Sequence, residues 1–143
     1  MNKLSQYLQG VVKIENRCLV EKMNFRLKCL EDGTISALDD DGYPTTHFLI
    51  LVKEFPLYDL ENKVASPLKK LFTMIEDIWH HRYHGWSVSE DGSTLQVSTC
   101  GWSGNESIIG ALKMNQLIWH HIFICEHKGG HYEFDRARIS DIC

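Results

Sequence analysis

No two cysteines in this chain have Cys-x-x-Cys spacing, no stretch is apolar for long, and neither sign of charge dominates. Each absence excludes something. The five cysteines, Cys18, Cys29, Cys100, Cys125 and Cys143, are odd in number and unpaired by motif. A disulfide framework is therefore not expected, and reduced thiols in a cytosol are. The longest apolar run near the middle is FLILV at residues 48–52, far short of the roughly 20 residues that span a bilayer. The opening MNKLSQYLQGVVKIENR lacks the apolar stretch of a secretory signal, so a cytoplasmic protein without a membrane partner is expected. With 15 Lys and Arg against 19 Asp and Glu, the net charge is −4. That is the wrong sign for a general nucleic-acid binder. There is no internal repeat, low-complexity tract or linker. The chain is expected to be one domain over residues 1–143.

The patterning that is present points to an α+β fold, a mostly antiparallel sheet with two main helices on one face. Leu4 and Leu8 mark a short helix over residues 1–9. Met23, Phe25, Leu27 and Cys29 alternate with Asn24, Arg26 and Lys28, which predicts a half-buried strand within residues 18–30. Residues 34–38 (TISAL) form its hairpin partner. A third strand is expected over residues 46–55, stopped by Pro56. Ser66 is read as an N-cap with Pro67 as the first helical residue. The helix that follows carries Leu68, Leu71, Phe72, Ile75, Ile78 and Trp79 as one apolar stripe. Residues 85–99 read as a β-hairpin turning at Asp91-Gly92. A second helix is expected over residues 104–115. Residues 116–125 (QLIWHHIFIC) are taken as a strand on their β-branched and aromatic content. Lys128-Gly129-Gly130 makes a turn, and residues 131–134 return as a strand.

The stretch GWSGNE, residues 101–106, sits between an expected strand and an expected helix. Its Ser-x-x-Glu spacing fits a capping box. In that arrangement Ser103 Oγ accepts from the Glu106 N–H and the Glu106 carboxylate accepts from the Ser103 N–H. A nucleophile turn of the Gly-x-Ser-x-Gly kind is opposed by Asn105, which stands where a small residue is needed. A phosphate cradle on the helix start is opposed by the charge of Glu106.

Eight histidines group as His80, His81 and His84, then His120 and His121, then His127 and His131. With Cys100 and Cys125 they raise the question of zinc. His121 and Cys125 are about 13 Å apart on a strand and cannot chelate together. His127 and His131 face each other across a tight turn, a better arrangement. Partly exposed histidines with no metal, no cofactor and no catalytic set are the expectation. The acidic loop DDDGY at residues 39–43 lacks the spaced pattern of a calcium loop.

GWSGNESIIGAL, a Trp four residues after Asn115, and KGGHYEF resemble blocks in a family of small bacteriophage and prophage proteins. The likeness covers roughly residues 85–134. Cys100 and Lys128 depart from it, standing where a small residue and an arginine are expected. The resemblance implies expression in an infected bacterial cytoplasm. From it, and from the chain's small size, the expected function is a binding protein acting on a host protein, such as a defence component. A homodimer is compatible with this. The expected binding residues are Trp102, Asn105, Glu106, Gly130, His131 and Tyr132, brought together at the helix start. Two alternatives are a small hydrolase or nuclease using His131 and Glu106, with or without a metal, and a ligand-binding module with its pocket at residues 103–106.

Overall fold

The structure is a computed structural model and describes residues 2–140. It is an α+β fold, 55% helix and 17% strand, so helices rather than strands supply most of the layers. The first helix, α1, runs from Lys3 to Glu31, capped by Asn2, whose side chain accepts from the Ser5 N–H. It replaces both the short opening helix and the strand expected over residues 18–30. Val20, Met23 and Leu27 are buried at spacings of three and four, the helical period. Phe25, which a strand would have buried with them, is 66% exposed.

The second expected hairpin arm is also absent. Residues 34–38 contribute only an isolated bridge, Leu38 to Pro44. The acidic loop folds on itself, with Asp39 accepting from the N–H groups of Asp41 and Tyr43. Helix α2, Thr46–Glu54, stands where the third strand was expected. Thr45 caps it by accepting from the Phe48 N–H. Phe48, Leu51, Val52 and Phe55 are buried, again at helical spacing. Two short strands, β1 (Tyr58–Asp59) and β2 (Val64–Ala65), pair with each other.

Helix α3, Leu68–Ile78, follows as expected but starts one residue later. Its N-cap is Pro67, whose carbonyl accepts from Lys70 and Leu71. Ser66 caps nothing, and its hydroxyl is buried without a hydrogen-bond partner among the described residues. A short turn of helix, α4 (Arg82–Gly85), leads into β3 (Trp86–Val88) and β4 (Thr94–Ser98). The β3–β4 hairpin is present, but its connection spans residues 89–93. Only Gly92 has the positive φ that a two-residue primed turn needs at both positions.

Helix α5 (Ser103–Met114) is followed immediately by α6 (Gln116–Ile122). Asn115 lies between them, accepting from the Ile118 N–H and donating to the carbonyls of Val52 and Phe55. The strand expected from residue 116 begins only at β5, Phe123–His127. It pairs with β6, His131–Asp135, across a turn in which Gly129 and Gly130 have φ of 95° and 82°. A final short helix, α7 (Arg136–Ser140), buries Ile139.

The four larger strands form one antiparallel sheet in the order β3-β4-β6-β5. Leu95, Val97, Tyr132 and Phe134 face the core. There Phe72 of α3 meets Trp86 and Phe134, and Trp119 of α6 meets Tyr132 and Phe134. Among the described residues, no helix is long and apolar enough to cross a membrane.

Candidate functional site

Because side chains alternate along a strand, burying Leu95, Val97, Tyr132 and Phe134 turns Gln96, Ser98, His131 and Glu133 outward. Register adds Ser87 opposite Gln96, Cys125 opposite Glu133 and His127 opposite His131. A cleft of about 470 Å³ opens on this outer face. Its walls are His84, Gly85, Ser87, Gln96, Val97, Ser98, Cys100, His127, His131, Tyr132 and Glu133. His84 and Cys100 arrive from outside the sheet. Gly85 makes that possible, because a Cβ there would lie 2.6 Å from the Ser98 carbonyl and 3.1 Å from Cys100 Sγ. The Trp79 indole donates to the same Ser98 carbonyl at 3.0 Å and holds the end of α3 against β4.

At one side of the cleft three donor groups converge. Cys125 Sγ is 3.0 Å from Glu133 Oε2 and 3.4 Å from His127 Nε2, and His127 Nε2 pairs directly with the same carboxylate oxygen. The three ligand atoms lie within 4.8 Å of one another. The register of β5 makes this possible. Phe123 opposes Phe134 while Cys125 opposes Glu133, so β5 advances two residues where β6 advances one. The extra residue, Ile124, is a bulge that reverses the alternation. Phe123 can then face inward and Cys125 outward. The His127 and Cys125 hydrogen bonds, in that order, hold Glu133 below the usual carboxylate range. The same carboxylate, with burial second, pushes the Cys125 thiol up.

Of the six residues expected to share a site, only His131 and Tyr132 border this cleft. Trp102 stacks between Tyr43 and His80, with ring centroids 4.8 Å and 4.5 Å away. Asn105 is buried and bonds to the backbone of His80 and Thr99. Glu106 is exposed on α5, and Tyr132 is buried in the core while also bordering the cleft. His131 lines the outer cleft, whose walls include none of Trp102, Asn105 or Glu106. Gly130 serves the fold, accepting from the Thr99 N–H at 3.0 Å.

The capping box is not formed. Trp102 is the N-cap, with no side-chain cap bond, and Ser103 is the first helical residue. The Glu106 N–H is taken by the Trp102 carbonyl at 3.0 Å. Glu133, and its convergence with Cys125 and His127, does not show in the sequence because the first half of their hairpin reads as a longer unbroken strand. The available signal was Cys-x-His ahead of Gly-Gly and His-x-Glu, which places four donors on one face of a tight hairpin. No family model, curated protein or solved structure matches this chain.

Proposed function

We propose that this chain is a protein-binding module that docks its partner along the outward side of α1. The observation that carries this reading is the first half of that helix. Among the described residues, its side-chain hydrogen bonds and ion pairs to the rest of the molecule begin at Asn16, which bonds to the backbone of Tyr58 and Leu60, and at Arg17, which pairs with Glu61 at 3.1 Å. Residues 3–14 extend about 18 Å before that anchor. Leu4, Tyr7, Leu8, Val12 and Ile14 within them are 53–68% exposed.

These side chains are not an overrun of the core face. At 100° per residue, Leu4, Tyr7, Leu8, half-buried Val11 and Ile14 centre nearly half a turn away from Val20, Met23 and Leu27, while Val12 lies closer to the core side. Exposed Phe25 and Cys18 continue the outer stripe. The positions 4, 7, 11, 14 and 18 follow the alternating three- and four-residue steps of a helix that packs against another helix. Such an exposed stripe marks an interaction surface. The resemblance to phage and prophage proteins points to a host protein as the partner.

The test compares wild type with a Tyr7→Glu, Ile14→Glu double variant as immobilised bait in bacterial host lysate. The expected result is one stoichiometric protein captured by wild type and lost by the variant. Equal capture by both, or none by either, overturns the reading. Sedimentation of the purified chain at rising concentration separates a foreign partner from a second copy. The hydrolase or nuclease alternative needs His131 and Glu106 in one cleft, and Glu106 does not line the cleft that holds His131.

A further inference from the structure

We infer that Cys125, His127 and Glu133 form a three-ligand site for a zinc-class divalent cation, with the fourth coordination position open to the outer cleft. The donor set selects the class of ion. A sulfur, an imidazole nitrogen and a single carboxylate suit a borderline-soft cation, whereas calcium and magnesium require shells of oxygen.

The spacing fits as well. In a tetrahedral zinc site, metal–ligand bonds of about 2.0–2.3 Å separate the ligand atoms by about 3.3–3.5 Å. Here the sulfur–nitrogen separation is 3.4 Å and the sulfur–oxygen separation is 3.0 Å, with nitrogen and oxygen closer still. The set is contracted, most of all between nitrogen and oxygen. Side-chain rotation is enough to open it, because the His127 side chain is 58% exposed and has room to turn.

The backbone holds the three residues in place before any ion arrives. Register pairs Cys125 with Glu133 and His127 with His131, and the two positive-φ glycines close the turn between them. Gly130 is tied to Thr99 at the end of β4, so the hairpin cannot slip without breaking a bond to the neighbouring strand. His131 sits beside the set without joining it. Three protein ligands beside an open cleft leave one position for water or an incoming ligand, the pattern of exchangeable rather than structural sites.

The test uses the full chain, reduced and stripped with a chelator, and metal ions alone as probes. Calorimetry with Zn²⁺ is expected to give one equivalent per chain. Co²⁺ is expected to give a thiolate-to-metal charge-transfer band with strong tetrahedral visible absorption. Cys125→Ser removes that band. Glu133→Gln keeps the band but weakens binding by about ten-fold or more. Cys100→Ser, which alters the other cleft thiol, changes neither stoichiometry nor spectrum. Circular dichroism confirms that each variant is folded. The inference is overturned if wild type takes up no zinc at micromolar concentrations, if the band survives Cys125→Ser, or if folded Glu133→Gln binds as wild type does. None of these readouts depends on α1 or on a captured partner.

Discussion

The side chain of Asn105 and the backbone of His80 close a two-way ring. Asn105 Oδ1 accepts from the His80 N–H at 3.1 Å, and Asn105 Nδ2 donates to the His80 carbonyl at 2.8 Å. The same Nδ2 donates to the Thr99 carbonyl at 3.3 Å. One side chain thus ties the exit of α3 to the end of β4 and the start of α5. Asn105 is 1% exposed, so truncation leaves backbone groups without their partner. Asn105→Ala is expected to cost about 2–3 kcal/mol, read as a lower midpoint in urea unfolding. Asn105→Asp keeps an acceptor but loses the donor, and is expected to do no better.

Ser103→Ala is expected to fall within about 0.5 kcal/mol of wild type. A serine N-cap would cost about 1 kcal/mol on the same change. Here the hydroxyl is on the first helical residue, and the Trp102 carbonyl already satisfies the Glu106 N–H. Thermal unfolding of the single variant decides between the two values.

Gly130 has φ of 82°, and a Cβ there would lie 2.4 Å from Thr99 Oγ1. Thr99 is 3% exposed, so its side chain has buried neighbours on every side of that contact to displace. Gly130→Ala is therefore expected to cost about 2 kcal/mol or more, combining left-handed strain with the clash. Thr99→Ala removes the clashing oxygen. The double variant is expected to be more stable than the sum of the single changes, a non-additivity that a double-mutant cycle measures directly.

Asp91 Oδ1 accepts from the Ser93 hydroxyl, the Ser93 N–H and the Ser89 hydroxyl. These bonds, in that order of weight save that burial opposes them slightly, lower its pKa from 3.8 to about 2. A carboxyl with a folded value below its unfolded value stabilises the fold above the unfolded value. That contribution fades as pH falls toward the folded value. Wild type is expected to melt above Asp91→Asn at pH 5 to 7, with the gap closing between about pH 4 and about pH 2. A gap that stays constant down to the lower limit would contradict the assignment.

The elements that could be read from the sequence were those with one unambiguous period. In α3, Leu68, Leu71, Phe72 and Ile75 fit only a helix, and in β4 and β6 alternation of buried and outward residues fits only a strand. In α1, Met23 and Leu27 are four apart, a spacing that strand and helix share. The intervening Phe25 tipped the reading to strand, and only its exposure in the fold separates the two. In α2 and α6 the runs are short and rich in apolar residues, so composition favoured strand. Burial of Phe48 with Leu51 and Val52 decides for helix in α2, and in α6 the exposure of His120 between buried Ile118 and Ile122 does so, through packing that no local pattern encodes.

The candidate site was legible only in part. His127 facing His131 across the glycine turn was readable. Convergence of Cys125 and Glu133 depends on a bulge that shows only once β5 is laid against β6. The residues around Trp102 are expected from the sequence to bind a partner. Their role is to stack and tie the junction between α3, β4 and α5, leaving none of them beside His131.

Ile124 gives the hairpin slack. The turn fixes which way the thiol points, the interior fixes which way Phe123 points, and one surplus residue absorbs the mismatch between these two demands. The outer face and the helical layer are thereby uncoupled, so a lineage could gain or lose a residue at that point without scrambling the outer face. An Ile124 deletion that keeps Cys125 opposite Glu133, seen in cross-strand proton contacts, would show that the polar surface holds its register independently of the layer beneath it.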